Sequence, residues 1–212
     1  MAKRAMFYLV FALGIAVSGP PVSAQQGMQN PHAMFQKKKE RTLPEGEVVY
    51  TVPEGWVSEP PRSQMRRAQF RWPGEEGSDD AVLAVFFFPG TGGSVEANLT
   101  RWYSQFKQPD SSSTLYHVNK SYRIINGIPV TLVYVTGIYV RPKNPMVMMG
   151  GPVEELPDYA LLAAIAETRN GPWFFKAVGP QKTIDRWKNS FDEFVKSFRI
   201  QEEKQQKQSE KK

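Results

Sequence analysis

The chain has 212 residues, of which 41% are hydrophobic and 12% aromatic, as in ordinary globular proteins and unlike disordered or collagen-like chains. It has no cysteine, which excludes disulfides, thiolate zinc sites, cysteine nucleophiles and a lipidated N-terminal cysteine. The formal net charge is +6, but the first 24 residues contribute +2, residues 25–42 contribute +3 and residues 199–212 contribute +2. Leu43–Phe198 is therefore left at −1. This balance argues against a nucleic-acid-binding domain.

The N-terminus has the pattern of a secretory signal peptide. Lys3 and Arg4 precede an apolar run from Phe7 to Val17. Val22 and Ala24 then occupy the two positions that a signal peptidase reads for cleavage after Ala24. The run is too short to cross a hydrocarbon core, which needs about 20 residues. We predict cleavage after Ala24, export to the periplasm or the extracellular space, and no stable membrane anchor afterwards.

Two polar segments flank the remaining chain. Residues 25–42 and 199–212 lack a sustained hydrophobic period, which is typical of disordered segments. We predict a disordered linker, a single folded domain over residues 43–198, and a disordered tail.

Three strands are predicted before the first helix: Glu47–Val52, Met65–Trp72 and Ala81–Phe88. In Met65–Trp72 the alternation places Arg66 on the apolar face together with Ala68, Phe70 and Trp72. Ala81–Phe88 is apolar at both parities, which indicates a central strand covered on both faces.

The first helix is predicted after Ser94, whose hydroxyl suits an N-cap. Val95, Leu99, Trp102 and Phe106 follow at helical spacing and form one apolar stripe. Strands at 114–125 and 128–140 then flank Asn126–Gly127, a typical signal for a two-residue hairpin turn.

A second hairpin is predicted at Asn170–Gly171, between strands at 159–168 and 172–178. The chain then closes with a helix whose stripe contains four aromatic residues and one isoleucine: Ile184, Trp187, Phe191, Phe194 and Phe198.

The predicted order is β-β-β-α-β-β-β-β-α, with strands that need cover on both faces. We predict the α+β class: an antiparallel sheet with one helix on each face, an α/β/α sandwich. The main alternative has both helices on one face, with the segment after Val140 and the N-terminal turn covering the other.

Several segments carry a resemblance to a known group. The chain resembles uncharacterised secreted bacterial proteins over about Gly55–Phe198. The segments that carry this resemblance are Gly55-Trp56, Met65-Arg66, Phe86–Leu99, Arg101-Trp102, Gln105-Phe106 and Gly171–Lys176. More distantly, the element order resembles the PsbP-like fold of an extrinsic photosystem II subunit. That resemblance implies an α/β/α sandwich acting as an accessory or binding module, and it implies no enzymatic activity.

The loop from Gly90 to Ser94 lies between a strand and a helix. Amides freed by Gly92 and Gly93, with the helix start at Ser94, favour an anion-binding loop. The alternative is a tight turn where side chains do not fit, with Ser94 as a helix cap.

Arg66, Arg101 and Lys176 lie within the segments that carry the resemblance, and they are candidates to line a cleft for an acidic ligand with Trp56 and Tyr139. The alternative is that they are surface charges whose stems cover apolar area.

The long segment Arg141–Pro157 holds four prolines and the apolar Met146, Met148 and Met149. It is either an adaptable contact surface or a lid on the core.

These features favour an exported, non-enzymatic accessory or binding module for an unknown protein or small-molecule partner. The alternative is a hydrolase or other enzyme whose carboxylate and arginine residues converge only in three dimensions. We predict no catalytic residue, no metal, no cofactor and no nucleic-acid partner.

Overall fold

The computed structural model describes residues 42–90, 92–144 and 151–201, which fold into a mostly antiparallel sheet with two helices, in agreement with the α+β class. A 3₁₀ helix spans Thr114–His117. The strands and helices are, in chain order, β1 (Glu47–Val49), β2 (Val57–Glu59), β3 (Arg66–Trp72), β4 (Ala81–Phe87), α1 (Val95–Tyr103), β5 (Phe106–Lys107), β6 (Val118–Ile125), β7 (Ile128–Pro142), β8 (Val153–Thr168), β9 (Gly171–Pro180), α2 (Gln181–Lys196) and β10 (Arg199–Gln201).

The main sheet has eight strands in the order β2-β3-β4-β9-β8-β7-β5, with β6 also paired to β7. β1 and β10 form a separate antiparallel pair. The predicted order therefore lacks three short strands, β2, β5 and β10. Because Arg199–Gln201 is a strand, the predicted tail boundary at Arg199 is too early.

The buried apolar residues form two clusters. The larger contains Phe175 of β9 and Phe191 and Phe194 of α2. The smaller contains Phe174 of β9 with Leu99 and Trp102 of α1. Each helix thus packs its apolar stripe into a different cluster.

Neither helix of the described residues is long and apolar enough to cross a membrane.

Both predicted helices form, and each ends before the last residue of its predicted stripe. Ser94 is the N-cap of α1, and its Oγ accepts a hydrogen bond from the Ala97 amide at 3.1 Å, as predicted. Phe106 and Phe198 lie beyond the ends of their helices, in β5 and just before β10, although both are buried. The two stripes were therefore each predicted one residue too long.

The two hairpins form, with one difference in the turns. Asn126 and Gly127 have φ of 48° and 83°, as the predicted two-residue turn requires. In the second hairpin Thr168 pairs with Gly171, so the turn residues are Arg169 and Asn170, one position before the predicted pair.

A bulge in β3 changes the face that one side chain occupies. Arg66 pairs with Phe86 and Ala68 pairs with Val85, so Arg67 is an extra residue on its strand. Consequently the Arg66 guanidinium lies over the Phe86 ring, and that of Arg67 lies over Phe87. Phe86 packs with the smaller cluster and Phe87 with the larger. The predicted parity of Arg66 is therefore wrong, because strand alternation reverses at a bulge.

Both ends of the segment predicted as a long loop are strand, at residues 141–142 and 153–157. β7 and β8 extend past the sheet as a two-stranded arm, in which Arg141 pairs with Glu154 and Pro142 with Val153. The Lys143 amide also donates to the Pro152 carbonyl at 2.9 Å. The predicted loop of 141–157 is thus too long at both ends, and residues 145–150 lie outside the described residues.

Candidate functional site

Arg66, Arg101 and Lys176, here called the cation cluster, come from three separate elements and lie close enough to influence one another's charge. Lys176 is on β9, between Ala84 of β4 and Ala163 of β8. Arg101 is in the last turn of α1, and the bulge of β3 turns Arg66 to the same side. The structure thus brings together three of the residues singled out from the sequence.

Each of these cations donates a hydrogen bond to a side-chain amide oxygen. Lys176 Nζ donates to Gln105 Oε1 at 2.6 Å, and Arg101 Nη2 donates to Asn98 Oδ1 at 2.6 Å. Arg66 Nη1 donates to Gln69 Oε1. A neutral amide orients a cation but does not neutralise its charge.

Two of the amides are anchored in turn. Asn98 Nδ2 donates to the carbonyl oxygens of Gly92 and Ser94, both at 3.1 Å. Gln69 Nε2 donates to Glu59 Oε2 at 2.9 Å. Asn98 and Gln69 are 5% and 1% exposed, so these two amides are fixed parts of the protein interior.

Gln105 follows α1, and its backbone carbonyl accepts a hydrogen bond from the Val140 amide at 2.8 Å. This bond docks the end of α1 onto β7. The Gln105 side chain is therefore held where it meets Lys176.

The cation cluster has no acidic partner in the part of the chain that the structure describes. No carboxylate oxygen there lies within 4.0 Å of a charged nitrogen of Arg66, Arg101 or Lys176. The cluster therefore carries local positive charge, although the folded segment as a whole is nearly neutral.

Burial and like charge act together on Lys176. Burial, together with the positive charges of Arg101 and Arg66, lowers the pKa of Lys176 to about 7. Burial also lowers the pKa of Arg66, with a contribution from Arg62. The surroundings thus disfavour the positive charge of Lys176.

Aromatic rings border the cluster. Lys176 Nζ lies 5.6 Å from the centre of the Trp102 ring, and Arg66 Cζ lies 5.9 Å from that of Phe86. Both distances are within the range of cation–π attraction.

Tyr139 is the fourth residue of the predicted group, and it interacts electrostatically with Arg66. Its ring packs on Phe106 and Tyr159, with centroid distances of 5.2 and 6.1 Å. Burial raises the pKa of Tyr139, while Arg141 and Arg66 lower it. With the pKa raised overall, the hydroxyl stays protonated at neutral pH and is a hydrogen-bond donor beside the cluster.

Trp56 does not belong to this group. It is buried in the other core cluster, where its ring centre lies 4.7 Å from that of Trp72 and 4.9 Å from that of Phe194. Its Nε1 donates to Ser190 Oγ at 3.1 Å. Grouping Trp56 with the three cations was therefore wrong, and its role is to pack α2 against the sheet.

The glycine loop before α1 is a tight turn. A Cβ on Gly92 would lie 2.7 Å from the Phe88 Cβ, and Ser94 is occupied as the helix cap. The adjacent cavity, about 480 Å³, is lined by Gly93, Ser94, Glu96, Glu167 and Arg169, among others. Its lining carries both signs of charge, and the anion-binding role of Gly92, Gly93 and Ser94 stays a prediction.

The other predicted contact residues, Met146, Met148 and Met149, lie outside the described residues.

The sequence did not reveal the amides Gln69, Asn98 and Gln105 as site residues. Asn98 and Gln105 stand in the segments that carry the family resemblance, close to Arg101, and this proximity was the available signal. Gln69 gave none, because its partner Arg66 was assigned to the opposite face of the strand.

Comparisons with known proteins give no family assignment. No family model and no curated protein sequence matches the chain. Among solved structures, it is similar to PA94, a Pseudomonas aeruginosa protein of unknown function proposed to be a regulator, with 11% identity, a TM-score of 0.44, and 74% of this chain and 100% of that chain covered. It is also similar to PsbP from the cyanobacterium Synechocystis, with 15% identity, a TM-score of 0.43, and 81% and 100% covered. Similarity at these scores carries no functional inference.

Proposed function

We propose that the protein is an exported, non-enzymatic binding module, and that its ligand or partner places an anionic group, a carboxylate or a phosphate, on the cation cluster. The observation that carries this proposal is the pairing of all three cations with neutral amides instead of carboxylates.

Cations that lack an acidic partner favour the binding of an anion. Partly burying a cation without an anion is unfavourable, by several kcal/mol for a fully buried ion. Guanidinium groups bind planar carboxylates and phosphates through two parallel hydrogen bonds. An arriving anion would therefore meet donors that are already oriented by Gln69 and Asn98.

The enzyme alternative depends on a carboxylate placed beside these cations. Among residues 42–90, 92–144 and 151–201, none lies within 4.0 Å of the cluster. This observation favours the binding module over the enzyme. The arm formed by β7 and β8 remains part of the proposal as a second contact surface, and the predicted contact residues Met146, Met148 and Met149 lie outside the described residues.

We also infer that the helices cover opposite faces of the sheet, as in an α/β/α sandwich. Phe174 and Phe175 are consecutive strand residues, so their side chains point to opposite faces. Phe174 packs with α1 residues and Phe175 with α2 residues, which supports this arrangement.

The test of anion binding compares two neighbouring arginines on opposite sides of β3. Arg66→Ala removes a member of the cluster, and Arg67→Ala removes the same charge from the other side. Titration calorimetry with succinate and with inorganic phosphate should give measurable binding to the wild type. We expect Arg66→Ala to weaken it about tenfold, since one charged hydrogen bond contributes on the order of 1.5–3 kcal/mol.

Arg67→Ala should bind as the wild type does. Equal weakening in both variants, or no binding of either anion to the wild type, would contradict the proposal.

A further inference from the structure

We propose that Lys176 is a nucleophile that forms a reversible Schiff base with a small 2-oxo acid, whose carboxylate binds Arg66 and Arg101. This inference rests on the proposed function, because the same two guanidinium groups would hold the anionic part of the ligand.

The partners of the Lys176 amine are compatible with a role as a nucleophile. A lysine that faces a carboxylate is held as an ammonium ion, which has no lone pair to attack a carbonyl. Lys176 Nζ instead donates to Gln105 Oε1, and two guanidinium groups lie nearby. The charged groups that act on it are Arg66 from β3 and Arg101 from α1, and both oppose its protonation. A pKa of about 7 leaves a large fraction of the amine neutral at physiological pH.

The Lys176 side chain must also be accessible to a ligand. Lys176 is surrounded closely by protein, yet part of the residue is still exposed to solvent. Its two cross-strand neighbours are the small residues Ala84 and Ala163, which leave its stem uncrowded within the sheet. Trp102 forms an apolar wall on one side.

A 2-oxo acid carries both an anionic group for the guanidinium groups and a carbonyl for the amine. In a 2-oxo acid the carbonyl carbon is bonded directly to the carboxylate, so guanidinium groups next to the amine would hold the electrophile within its reach. The Nζ lone pair attacks the carbonyl carbon, and a proton moves from nitrogen to oxygen to give a carbinolamine. Loss of that oxygen as water leaves the C=N bond. No oxidant or reductant is consumed, and water reverses the reaction.

The test traps the imine by reduction. The full-length protein is incubated at pH 7 with pyruvate and sodium cyanoborohydride, and peptide mass spectrometry locates the reduced adduct. We expect one main adduct, on Lys176, and none at that position in Lys176→Arg. Propionaldehyde, which lacks the carboxylate, should modify Lys176 at least about tenfold more slowly. Arg66→Ala should slow the reaction with pyruvate to a similar extent, and Arg67→Ala should not.

Two further measurements keep the outcomes distinct. Excess succinate, which cannot form an imine, should protect Lys176 of the wild-type protein from pyruvate. If succinate binds in an Arg66-dependent way but Lys176 gains no adduct, the Schiff-base inference is overturned and the proposed function stands. If succinate does not bind either, both fail. Equal labelling of Lys176 and of the exposed, ion-paired Lys107 would also overturn the inference.

Discussion

Lys176 carries a charge that the described part of the folded protein does not compensate, and this has a consequence for stability. Below about pH 7 both the folded and the unfolded chain hold the Lys176 proton, so the full cost of the buried charge is present. As pH rises from about 7 towards 10.5, the ordinary lysine value, the folded protein releases the proton before the unfolded chain does. The cost of this residue therefore falls over that window.

Replacing Lys176 by methionine should consequently stabilise the protein at pH 6, by up to about 5 kcal/mol, since each unit of the difference between pKa values of 10.5 and about 7 corresponds to about 1.4 kcal/mol. The gain should shrink steadily between pH 7 and pH 10. Urea unfolding at pH 6, 8 and 9.5 measures it. Lys107→Met, which breaks an exposed ion pair with Glu155, is the control and should change stability by no more than about 1 kcal/mol at any of these pH values. A gain that does not vary with pH would rule out the charge as its cause.

The amide partners can be tested by exchanging one for a carboxylate. Gln105→Glu keeps the shape of the side chain but places a negative charge on Lys176, so it should raise the pKa of Lys176 and weaken succinate binding about tenfold. NMR of isotopically methylated lysines reports the pKa, and calorimetry reports the binding. Asn119→Asp, an amide-to-acid change at an exposed position on β6, should alter neither. Unchanged titration of Lys176 in Gln105→Glu would contradict the assigned contact.

At the scale of elements, the bulge in β3 decides which arginine joins the cluster. Regular alternation would pair Arg67, not Arg66, with Phe86. Alternation is readable in a sequence, but an extra residue in one strand is not, because it depends on the register with the neighbouring strand. The sequence therefore identified Arg66 as a candidate and gave it the wrong face, whereas Asn126–Gly127 was predictable because the turn needs only its own two residues.

The start of α1 was also predictable, since capping is local, and it yields a stability prediction. Ser94→Ala removes the acceptor for the Ala97 amide and should cost about 1 kcal/mol in the free energy of unfolding. Thr100→Ala, at an exposed position inside the same helix, should cost less than about 0.5 kcal/mol or be slightly stabilising. Thermal unfolding of the two variants separates these expectations, and equal losses would show that the cap contributes nothing.

At the scale of the whole molecule, hydrophobic pattern predicted the antiparallel sheet, both helices and the two hairpins. It could not predict the pairing of β1 with β10, because that pairing joins residues about 150 positions apart and has no local signature. The convergence of the three cations could not be predicted for the same reason. Arg66, Arg101 and Lys176 are distant in sequence, and only the strand order and the docking of α1 bring them together.

We propose that the whole chain is exported, and this proposal rests on its N-terminal pattern. Expressed with its own leader in a Gram-negative host, the protein should be recovered from the periplasm with Gln25 as its first residue. N-terminal sequencing and intact mass measure this directly. Substituting Ala24 with a bulky residue such as arginine should leave the precursor uncleaved, and a protein recovered with Met1 at its N-terminus would contradict the predicted site.

The β1–β10 pair also determines how the domain responds to a pulling force. Glu47 lies opposite Gln201 and Val49 opposite Arg199, so the chain enters and leaves the pair at the same end. A force applied between the two flanking segments would open the pair like a zipper, one hydrogen bond at a time, instead of shearing all of them together. The residues before β1 are held to the turn between β8 and β9, where the Arg169 amide donates to the Pro44 carbonyl and the Gly46 amide donates to Asn170 Oδ1. Under tension these two bonds would break first, and the bonds between β1 and β10 would follow, with the pairing within the eight-stranded sheet intact. A domain tethered at both ends would thus lengthen before the strands that carry the cation cluster separated.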